Sequence, residues 1–359
     1  MDPTAGELAR AESLRLTQSS RRNKENHVRR SIFLATAAAL MLTALATASV
    51  AARSPIALGI SSERSTDLAA VNEFATTPAL WTLWSTWGDR GGLVNCQKGA
   101  GTCAFPTVLA RGLRSRGITP FVWWQPTDPA NSAAGVYERY QNIITGKHDK
   151  YIRDWAKAAK AFGKPVVVRF AHEMNGDWFP WSLGKFDNST ARFKAAWRHI
   201  VGEFRSVGAR NVKFVWSPYI FTKGYAKFYP GNDYVDYVGV TSLNWGDTRW
   251  KTLPGLLDRP MAALRKVSRT SRDPQGKPVL LPEVGSNWIG GDKAAWISDG
   301  YVQAYKKWPV IRAMVYFDYN TTPITNGVQP DWRLMTPDGT AFAAYQSVAR
   351  KPIFRASFP

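Results

Sequence analysis

The most informative segment of the sequence is Val166-Val-Val-Arg-Phe-Ala-His-Glu-Met-Asn-Gly-Asp-Trp-Phe-Pro-Trp181. It begins with three consecutive valines, and such a short β-branched, nearly all-apolar run is typical of a parallel strand buried on both faces. Histidine, glutamate, asparagine and tryptophan follow at once. Because parallel strands carry their reactive side chains at their carboxyl ends, this stretch predicts a strand that leads directly into a functional site.

The rest of the chain alternates apolar runs with amphipathic stretches. With residues 166–170, the predicted strands cover residues 56–60, 79–84, 119–124, 212–216, 234–241, 278–283 and 313–317. The clearest predicted helices cover residues 151–162, 192–207 and 256–268. Eight strands alternating with helices over about 300 residues predict a (β/α)8 barrel, the TIM-barrel fold. The alternative is a doubly wound open sheet, whose usual Gly-rich phosphate-binding turn is missing from this sequence.

The first 52 residues are predicted to lie outside this domain, which would span residues 53–359. Residues 1–30 are polar and basic and are expected to be disordered. Residues 31–52 are uncharged, follow Arg29-Arg30 and end in small residues, which is typical of a signal peptide with its cleavage site. The run is also about long enough to span a bilayer, so a cleaved signal and a membrane anchor both stay open. Either one predicts that residues 53–359 are extracellular.

The two cysteines, Cys96 and Cys103, are separated by six residues that include two glycines. Outside the cytosol this spacing predicts a local disulfide. The four histidines show no zinc-ligand spacing, so neither a metal nor another cofactor is predicted.

The net charge of +20 predicts attraction to polyanions. Anionic cell-wall polymers and membrane surfaces are the expected partners of this kind. Nucleic acid is not expected, because no helix-turn-helix, zinc-finger or RNA-binding motif is present and the basic residues are scattered. The oligomeric state has no signature in the sequence.

Two glutamates stand out among the six that follow residue 53. Glu173 and Glu283 alone end apolar strands, the fourth and seventh, whereas Glu138 and Glu203 lie in charged helical contexts and are expected to be solvated. The pair is about three βα units apart, so the two carboxyl groups can converge across the barrel. Two facing carboxyl groups are what glycoside hydrolysis requires, and 16 tryptophans could supply flat surfaces for sugar rings.

Residues 166–181 resemble the acid/base segment of glycoside hydrolase family 26. Lys277-Pro-Val-Leu-Leu-Pro-Glu-Val-Gly-Ser286 is similar to the nucleophile segment of that family, and Val238-Gly-Val-Thr-Ser-Leu-Asn-Trp-Gly246 to its sixth strand. The resemblance covers roughly residues 56–345. It implies a (β/α)8 barrel and a retaining, endo-acting hydrolase of β-mannan or mixed-linkage β-1,3-1,4-glucan. In this interpretation Glu173 is the acid/base and Glu283 is the nucleophile.

Further side chains are predicted to bind the substrate polysaccharide. The resemblance suggests four residues near the cleaved bond: His172, Trp178, Trp245 and Tyr316. Position at or just beyond the strand ends adds seven more: Trp124, Arg169, Asn175, Trp181, Trp216, Asn244 and Trp288.

One departure from the family concerns the sixth strand. Where the family commonly carries Asp-Gly-Tyr-Asn, with the tyrosine holding the nucleophile, this chain has Thr241-Ser-Leu-Asn244. Leu243 cannot donate a hydrogen bond, so Ser242, Tyr219 or a water is expected to replace it. Two alternatives to an active hydrolase stay open: a carbohydrate-binding pseudoenzyme, and a basic module that binds cell wall or nucleic acid without sugar chemistry.

Overall fold

The structure, a computed structural model, describes Gly6 and residues 53–88, 102–219, 221–222, 224–320, 330–335 and 338–358. The chain divides into two units, Met1–Arg53 and Ser54–Pro359. Residues 1–52 apart from Gly6, and Cys96, lie outside the described residues. The disordered N-terminal region, the signal or anchor run and the disulfide with Cys103 therefore stay predictions. No helix in the described part of the chain has both the length and the apolar character needed to cross a membrane.

The second unit alternates strands and helices along the chain. Its strands are β1 (Ala57–Ser62), β2 (Leu80–Thr86), β3 (Thr119–Gln125), β4 (Val166–Phe170), β5 (Val212–Trp216), β6 (Tyr237–Val238), β7 (Thr241–Asn244), β8 (Val279–Ser286) and β9 (Ile311–Asp318). The described helices are α1 (Thr107–Arg114), α2 (Tyr140–Ile144), α3 (Asp149–Phe162), α4 (Thr190–Ser206), α5 (Leu253–Ser268), α6 (Lys293–Lys307) and α7 (Thr340–Arg350).

The strands form one closed parallel sheet. The order is β6-β5-β4-β3-β2-β1-β9-β8-β7, and β8 closes the circle by pairing with β6 as well as with β7. The short strands β6 and β7 share one position, so the sheet has eight positions and the predicted (β/α)8 barrel is confirmed. The open doubly wound sheet is excluded.

Helix starts differ slightly from the prediction. The helices predicted to begin at residues 192 and 256 begin at Thr190 and Leu253. In both cases a hydroxyl side chain caps the first turn: Ser189 accepts from the N–H of Arg192, and Thr252 from the N–H of Gly255. Such a cap satisfies a backbone donor that the helix itself leaves unpaired, which moves the start toward the capping residue.

Side chains of each strand alternate between the barrel interior and the layer beneath the helices. In β4, Val167 belongs to the interior cluster, while Val168 belongs to the helix-facing core. In β3, Trp123 is likewise interior and Trp124 faces the helices. Adjacent residues of a strand therefore face different layers, and only the inward-facing residue can reach a site inside the barrel.

Three residues predicted to bind substrate lie on the wrong side of their strands. Trp124, Trp216 and Tyr316 are completely buried in the helix-facing core. Their ring partners, at centroid distances of 4.9, 5.0 and 5.7 Å, are Trp155 of α3, Tyr229 and Tyr345 of α7. These side chains have no surface left for a sugar, so their predicted substrate-binding role is corrected to packing between sheet and helices.

Candidate active site

Glu283 reaches the barrel interior because β8 is irregular. Leu280 faces the interior and Leu281 the helices, so strict alternation would send residue 283 toward the helices. The register against β9 shifts between Leu281 and Val284, and Val284 joins the helix-facing core instead. A shift of one residue exchanges the two faces of a strand, and here it turns the Glu283 side chain inward.

Inside the barrel, Glu283 is held by the buried Arg169. Nη1 of Arg169 donates to Oε1 of Glu283, and the Thr241 hydroxyl lies 3.1 Å from the same oxygen. Nη2 of Arg169 donates to the hydroxyls of Ser217, at 3.0 Å, and of Thr241, at 3.2 Å. The guanidinium also stacks 4.4 Å from the ring of Trp123. A charge buried this deeply requires a partner of opposite sign, and Glu283 is that partner.

Glu173 projects from a strained turn directly after β4. The φ angles of Ala171 and Glu173 are +42° and +51°, in the left-handed region that costs a residue with a side chain roughly 1–2 kcal/mol. Two backbone hydrogen bonds hold the turn: the Ala171 N–H donates to the Trp124 carbonyl at 3.2 Å, and the Glu173 N–H to that of Ser217 at 2.8 Å. The strain is therefore maintained by the neighbouring strands.

The two carboxyl groups meet at one hydroxyl. Oγ1 of Thr241 lies 2.5 Å from Oε1 of Glu173 and 3.1 Å from Oε1 of Glu283, so these two oxygens are at most about 5.6 Å apart. This limit fits a retaining geometry, with carboxyl groups about 5–5.5 Å apart, better than an inverting one, which needs about 6.5–9.5 Å.

The surroundings of Glu173 favour the protonated form of its carboxyl group. Burial, and next the negative charge of Glu283, raise the pKa of Glu173 to about 7, although Arg169 and the hydrogen bonds from Thr241 and Trp178 oppose the rise. Nε1 of Trp178 donates to Oε2 of Glu173 at 2.9 Å. Glu173 can therefore carry a proton near neutral pH, while Glu283 lies against a fixed positive charge.

The hydroxyl of Thr241 contacts Glu283 in the role that the missing tyrosine hydroxyl has in the family. The buried hydroxyl of Ser242 has no hydrogen-bond partner among the described residues. Tyr219 lies on the side of Glu173, where burial and the Glu173 charge raise the pKa of its phenol. Neither of the two predicted substitutes contacts Glu283, and the threonine two positions before Leu243 does.

His172 is buried in an aromatic cage beside the pair. Its ring lies 4.6 Å from Phe179, 5.3 Å from Trp123 and 5.4 Å from Trp181. Burial, and next the charge of Arg169, hold the pKa of His172 well below its usual range, so the ring is neutral. Its Nδ1 is buried from solvent and has no hydrogen-bond partner among the described residues, so the aromatic neighbours position the ring.

Trp181 and Asn175 support the site from behind. Trp181 is buried and donates its Nε1–H to the carbonyl of His172 at 2.9 Å. The amide of Asn175 donates to the Tyr219 carbonyl at 2.6 Å and accepts from the Tyr219 N–H at 2.8 Å. Tyr219 in turn packs edge-on against Trp178 at 5.0 Å. Trp181 and Asn175 therefore act through other residues, whereas Trp178 is 49% exposed and offers a surface to a sugar.

At the end of β7, Asn244 is also a supporting residue. It is buried, donates to the Ser286 hydroxyl at 2.9 Å and accepts from the Lys251 N–H at 3.1 Å. Trp245 is partly buried and packs edge-on against Trp332 at 5.3 Å. Trp288 is 46% exposed. Trp245 and Trp288 therefore remain available for substrate at the ends of β7 and β8.

A row of aromatic side chains inside the barrel was not predicted. Trp123 lies 4.4 Å from Trp84 and stacks on Phe317, which stacks on Tyr319 at 4.5 Å. The ring centroids of Trp84 and Tyr319 are also in contact, 5.6 Å apart. The row lines the side of the barrel formed by β2, β3 and β9. Counting the alternation inward from Arg169 on β4, which pairs with Trp123, could have found its first member.

Residues 42–248 match the family model described as glycosyl hydrolase family 26. The chain belongs to glycosyl hydrolase family 26. Endoglucanase H of Acetivibrio thermocellus is a relative that is 36% identical to this family 26 chain over 217 residues. The match covers 57% of this chain and 22% of that protein. Beta-1,3-xylanase TXYA of a Vibrio species is 27% identical over 193 residues, 51% of this chain and 38% of that protein. The chain thus spans well under half the length of these curated relatives.

Solved structures show the same fold. The family 26 β-mannanase BoMan26A from Bacteroides ovatus matches with a TM-score of 0.59 at 18% identity, over 84% of this chain and 90% of that one. A modular endo-β-1,4-mannanase from Cellulomonas fimi matches with a TM-score of 0.60 at 18% identity, over 84% of this chain and 72% of that one. At this identity the likeness shows the barrel fold and nothing about the substrate.

Proposed function

We propose that residues 53–359 form a retaining, endo-acting glycoside hydrolase that cleaves β-linked polysaccharide. The observation that supports this is the pair Glu173 and Glu283, joined by Thr241, with the pKa of Glu173 raised to about 7 and Glu283 against Arg169. This arrangement provides a proton donor and a fixed anion on one reacting centre.

In the first step, Glu173 gives its proton to the glycosidic oxygen as the bond from that oxygen to the anomeric carbon breaks. Glu283 attacks the anomeric carbon and forms a glycosyl-enzyme ester. Its Oε1 is held by Arg169 and Thr241, so Oε2 is the attacking atom. Arg169 and Trp123 stay in place throughout, since both are buried.

In the second step, the deprotonated Glu173 takes a proton from a water molecule. The water oxygen bonds to the anomeric carbon, and the ester bond to Glu283 breaks. The sugar leaves with its original configuration after two inversions. Trp178 lies beside the leaving group because it donates to Glu173.

The substrate we propose is of the β-mannan or β-1,3-1,4-glucan class. Relatives in support are named endoglucanase, β-1,3-xylanase and mannan endo-1,4-β-mannosidase, and the last two names specify β-linked polysaccharides. The half-exposed Trp178 and Trp288 offer flat apolar faces of the kind on which such sugars stack.

The test is a screen of the full chain for release of reducing ends from mannan, mixed-linkage β-glucan, xylan and curdlan. Glu283→Gly should lose roughly 10³-fold or more in kcat, and azide should restore turnover of an aryl β-oligosaccharide as a glycosyl azide of inverted configuration. Glu73→Ala, which changes an exposed glutamate between β1 and β2, should act like wild type. Polysaccharide binding without any reducing ends would show a carbohydrate-binding pseudoenzyme instead.

We also propose that the enzyme acts outside the cytoplasm, secreted or anchored by residues 31–52, with Cys96 bonded to Cys103. The charge of +20 supports association with anionic cell-wall or membrane surfaces. Replacing Arg29-Arg30 with two glutamines should retain the protein inside expressing cells. Accessible thiols in the exported, unreduced protein would contradict the disulfide.

A further inference from the structure

A second cavity lies on the catalytic end of the barrel, away from the glutamate pair. It has a volume of about 650 Å³ and is lined by residues 134–136, Arg139, Gln141, Asn142, Lys147, His148, Phe186, Asp187 and Arg192. These residues belong to α2 and the segments on either side of it, to the loop after β4 and to the first turn of α4. The connections that follow β3 and β4 leave the carboxyl ends of adjacent strands, the end that carries the active site. The volume is in the range of small-ligand sites.

The two walls of this cavity are tied together by buried hydrogen bonds. Asn188, in the loop after β4, donates to the carbonyl of Glu138 at 2.8 Å and accepts from the N–H of Tyr140 at 3.0 Å. Glu138, which was expected to be solvated, is completely buried and accepts from the Thr127 hydroxyl at 2.7 Å and the Asp128 N–H at 3.1 Å. The cavity is therefore a preformed feature of the loops.

One wall is a stacked pair of Arg139 and Phe186, with the guanidinium 4.9 Å from the ring centroid. Both side chains press on Gly135, where a Cβ would come within 2.8 Å of Nε of Arg139 and 2.9 Å of the Phe186 ring. Phe186 and Asp187 have φ angles of +49° and +62°, a strained conformation for residues with side chains. The chain thus uses strain and a glycine to orient Arg139.

The charge lining the cavity is positive. Arg139, Lys147 and Arg192 line it, against one carboxylate, that of Asp187. Arg192 donates to the backbone carbonyl of Asp187, and Lys147 to the side-chain oxygen of Asn142. None of the ion pairs among the described residues includes Arg139 or Arg192. Two guanidinium groups are therefore available for an anion, and arginine matches planar oxyanions with paired donors.

We propose that this cavity binds a uronate unit of an acidic polysaccharide, with the sugar carboxylate held by Arg139 and Arg192. The volume exceeds what a bare inorganic anion fills. The remaining lining suits a sugar, because Gln141 and Asn142 can hydrogen-bond hydroxyl groups and Phe186 gives apolar surface. Such a site retains the enzyme on acidic glycans while the cleft acts on neutral chains.

Calorimetric titration of the full chain with trigalacturonate, cellotriose and inorganic phosphate tests this proposal. Trigalacturonate should bind, and Arg139→Gln with Arg192→Gln should weaken it at least tenfold. The single Arg139→Lys and Arg192→Lys variants keep the charge but lose the paired donors, and should weaken it about threefold each. Arg210→Gln, which changes an exposed arginine outside the cavity, should change the Kd less than twofold.

The proposal is overturned if cellotriose or phosphate binds as tightly as trigalacturonate, or if Arg210→Gln weakens binding as much as the double variant. Loss of binding in Trp178→Ala would move the site to the catalytic cleft and would also overturn it. Unchanged melting temperature and unchanged hydrolysis of neutral polysaccharide by the double variant show that the fold is intact. Since binding is read as heat, the result does not depend on the proposed hydrolase activity.

Discussion

At the scale of the residue, Thr241 is the point at which both carboxyl groups converge. A hydroxyl carries one proton and two lone pairs. It therefore cannot donate to Glu173 and Glu283 at once, although its oxygen is within hydrogen-bonding distance of both. The geometry suits a pair that holds one proton in total, with the hydroxyl and Arg169 connecting the two sides. A threonine thus replaces the tyrosine that the family commonly places two residues later.

Thr241→Val should lower kcat by roughly 10–100-fold with little change in KM, because the hydroxyl orients the two carboxyl groups without touching substrate. Thr241→Ser keeps the hydroxyl and should retain most of the activity. Ser242→Ala is the matched control on the same strand, since its hydroxyl has no partner among the described residues. Steady-state kinetics of the three variants would contradict this role if Thr241→Val and Ser242→Ala behaved alike.

The proton on Glu173 should set the alkaline limb of the pH profile. Activity requires the protonated acid, so kcat/KM should fall as the pH rises through about 7, the value to which burial and the Glu283 charge raise the pKa of Glu173. Glu283→Gln removes the negative charge, and the pKa of Glu173 should then fall. Carbon NMR titration of the Glu173 carboxyl group in both proteins measures the change, and an unchanged or higher pKa would refute it.

At the scale of the element, the division of one barrel strand into β6 and β7 has a steric cause. A Cβ at Gly239, between the two strands, would lie 2.1 Å from the Leu280 carbonyl oxygen on β8. The backbone at residue 239 can approach β8 so closely only because glycine has no side chain. The Gly239 N–H donates to the Trp216 carbonyl, which anchors the break to β5. Thr241 begins the next strand and pairs with Glu283. The break before it therefore sets the position of the Thr241 hydroxyl along the barrel axis.

Gly239→Ala should lower the free energy of unfolding by about 3 kcal/mol, since the contact is with backbone and cannot be relieved by a rotamer change. Gly202→Ala is the control. Gly202 lies exposed within α4, and a methyl group added to it would meet no other atom within 4 Å, so alanine there should add up to about 1 kcal/mol through helix propensity. Urea unfolding of both variants measures these free energies. Equal changes in the two variants would contradict the steric clash at Gly239.

At the scale of the whole molecule, the active site opposes stability. The interior buries Arg169, Glu173 and Glu283, and two residues after β4 have positive φ angles. The apolar layer between sheet and helices has to offset these unfavourable contributions, as it does in many enzymes. The pH dependence of the stability should reveal the contribution of Glu173.

Glu173 should make the protein less stable as the pH rises from about 4.5 to 7. Its pKa is raised from 4.5 to about 7 on folding, so in this window the folded state binds more protons than the unfolded chain, and the free energy of unfolding falls with pH. The full effect is on the order of 3 kcal/mol above pH 7. Glu173→Gln should therefore raise the melting temperature more at pH 8 than at pH 4.5. Equal shifts at both values would contradict this account.

The barrel and the convergence of Glu173 and Glu283 could be predicted from the amino-acid sequence. Apolar β-branched runs and amphipathic stretches are local signals, because each element must bury its own apolar face. Glu173 and Glu283 could be found because they end such runs and lie within family motifs. The exposed Trp178 and Trp288 could be found in the same way, since loops after strands lie at one end of a barrel.

Which of two neighbouring side chains faces the site could be read only from the way the strands pair in space. Alternation along a strand has a period of two, so one irregularity exchanges the faces. For this reason Trp123 lines the barrel while Trp124 packs under the helices, and Glu283 points inward only because of the register shift in β8. The contact between Thr241 and both glutamates joins residues 42 and 68 positions apart. Such contacts depend on how strands pair in space, and no local pattern encodes that pairing.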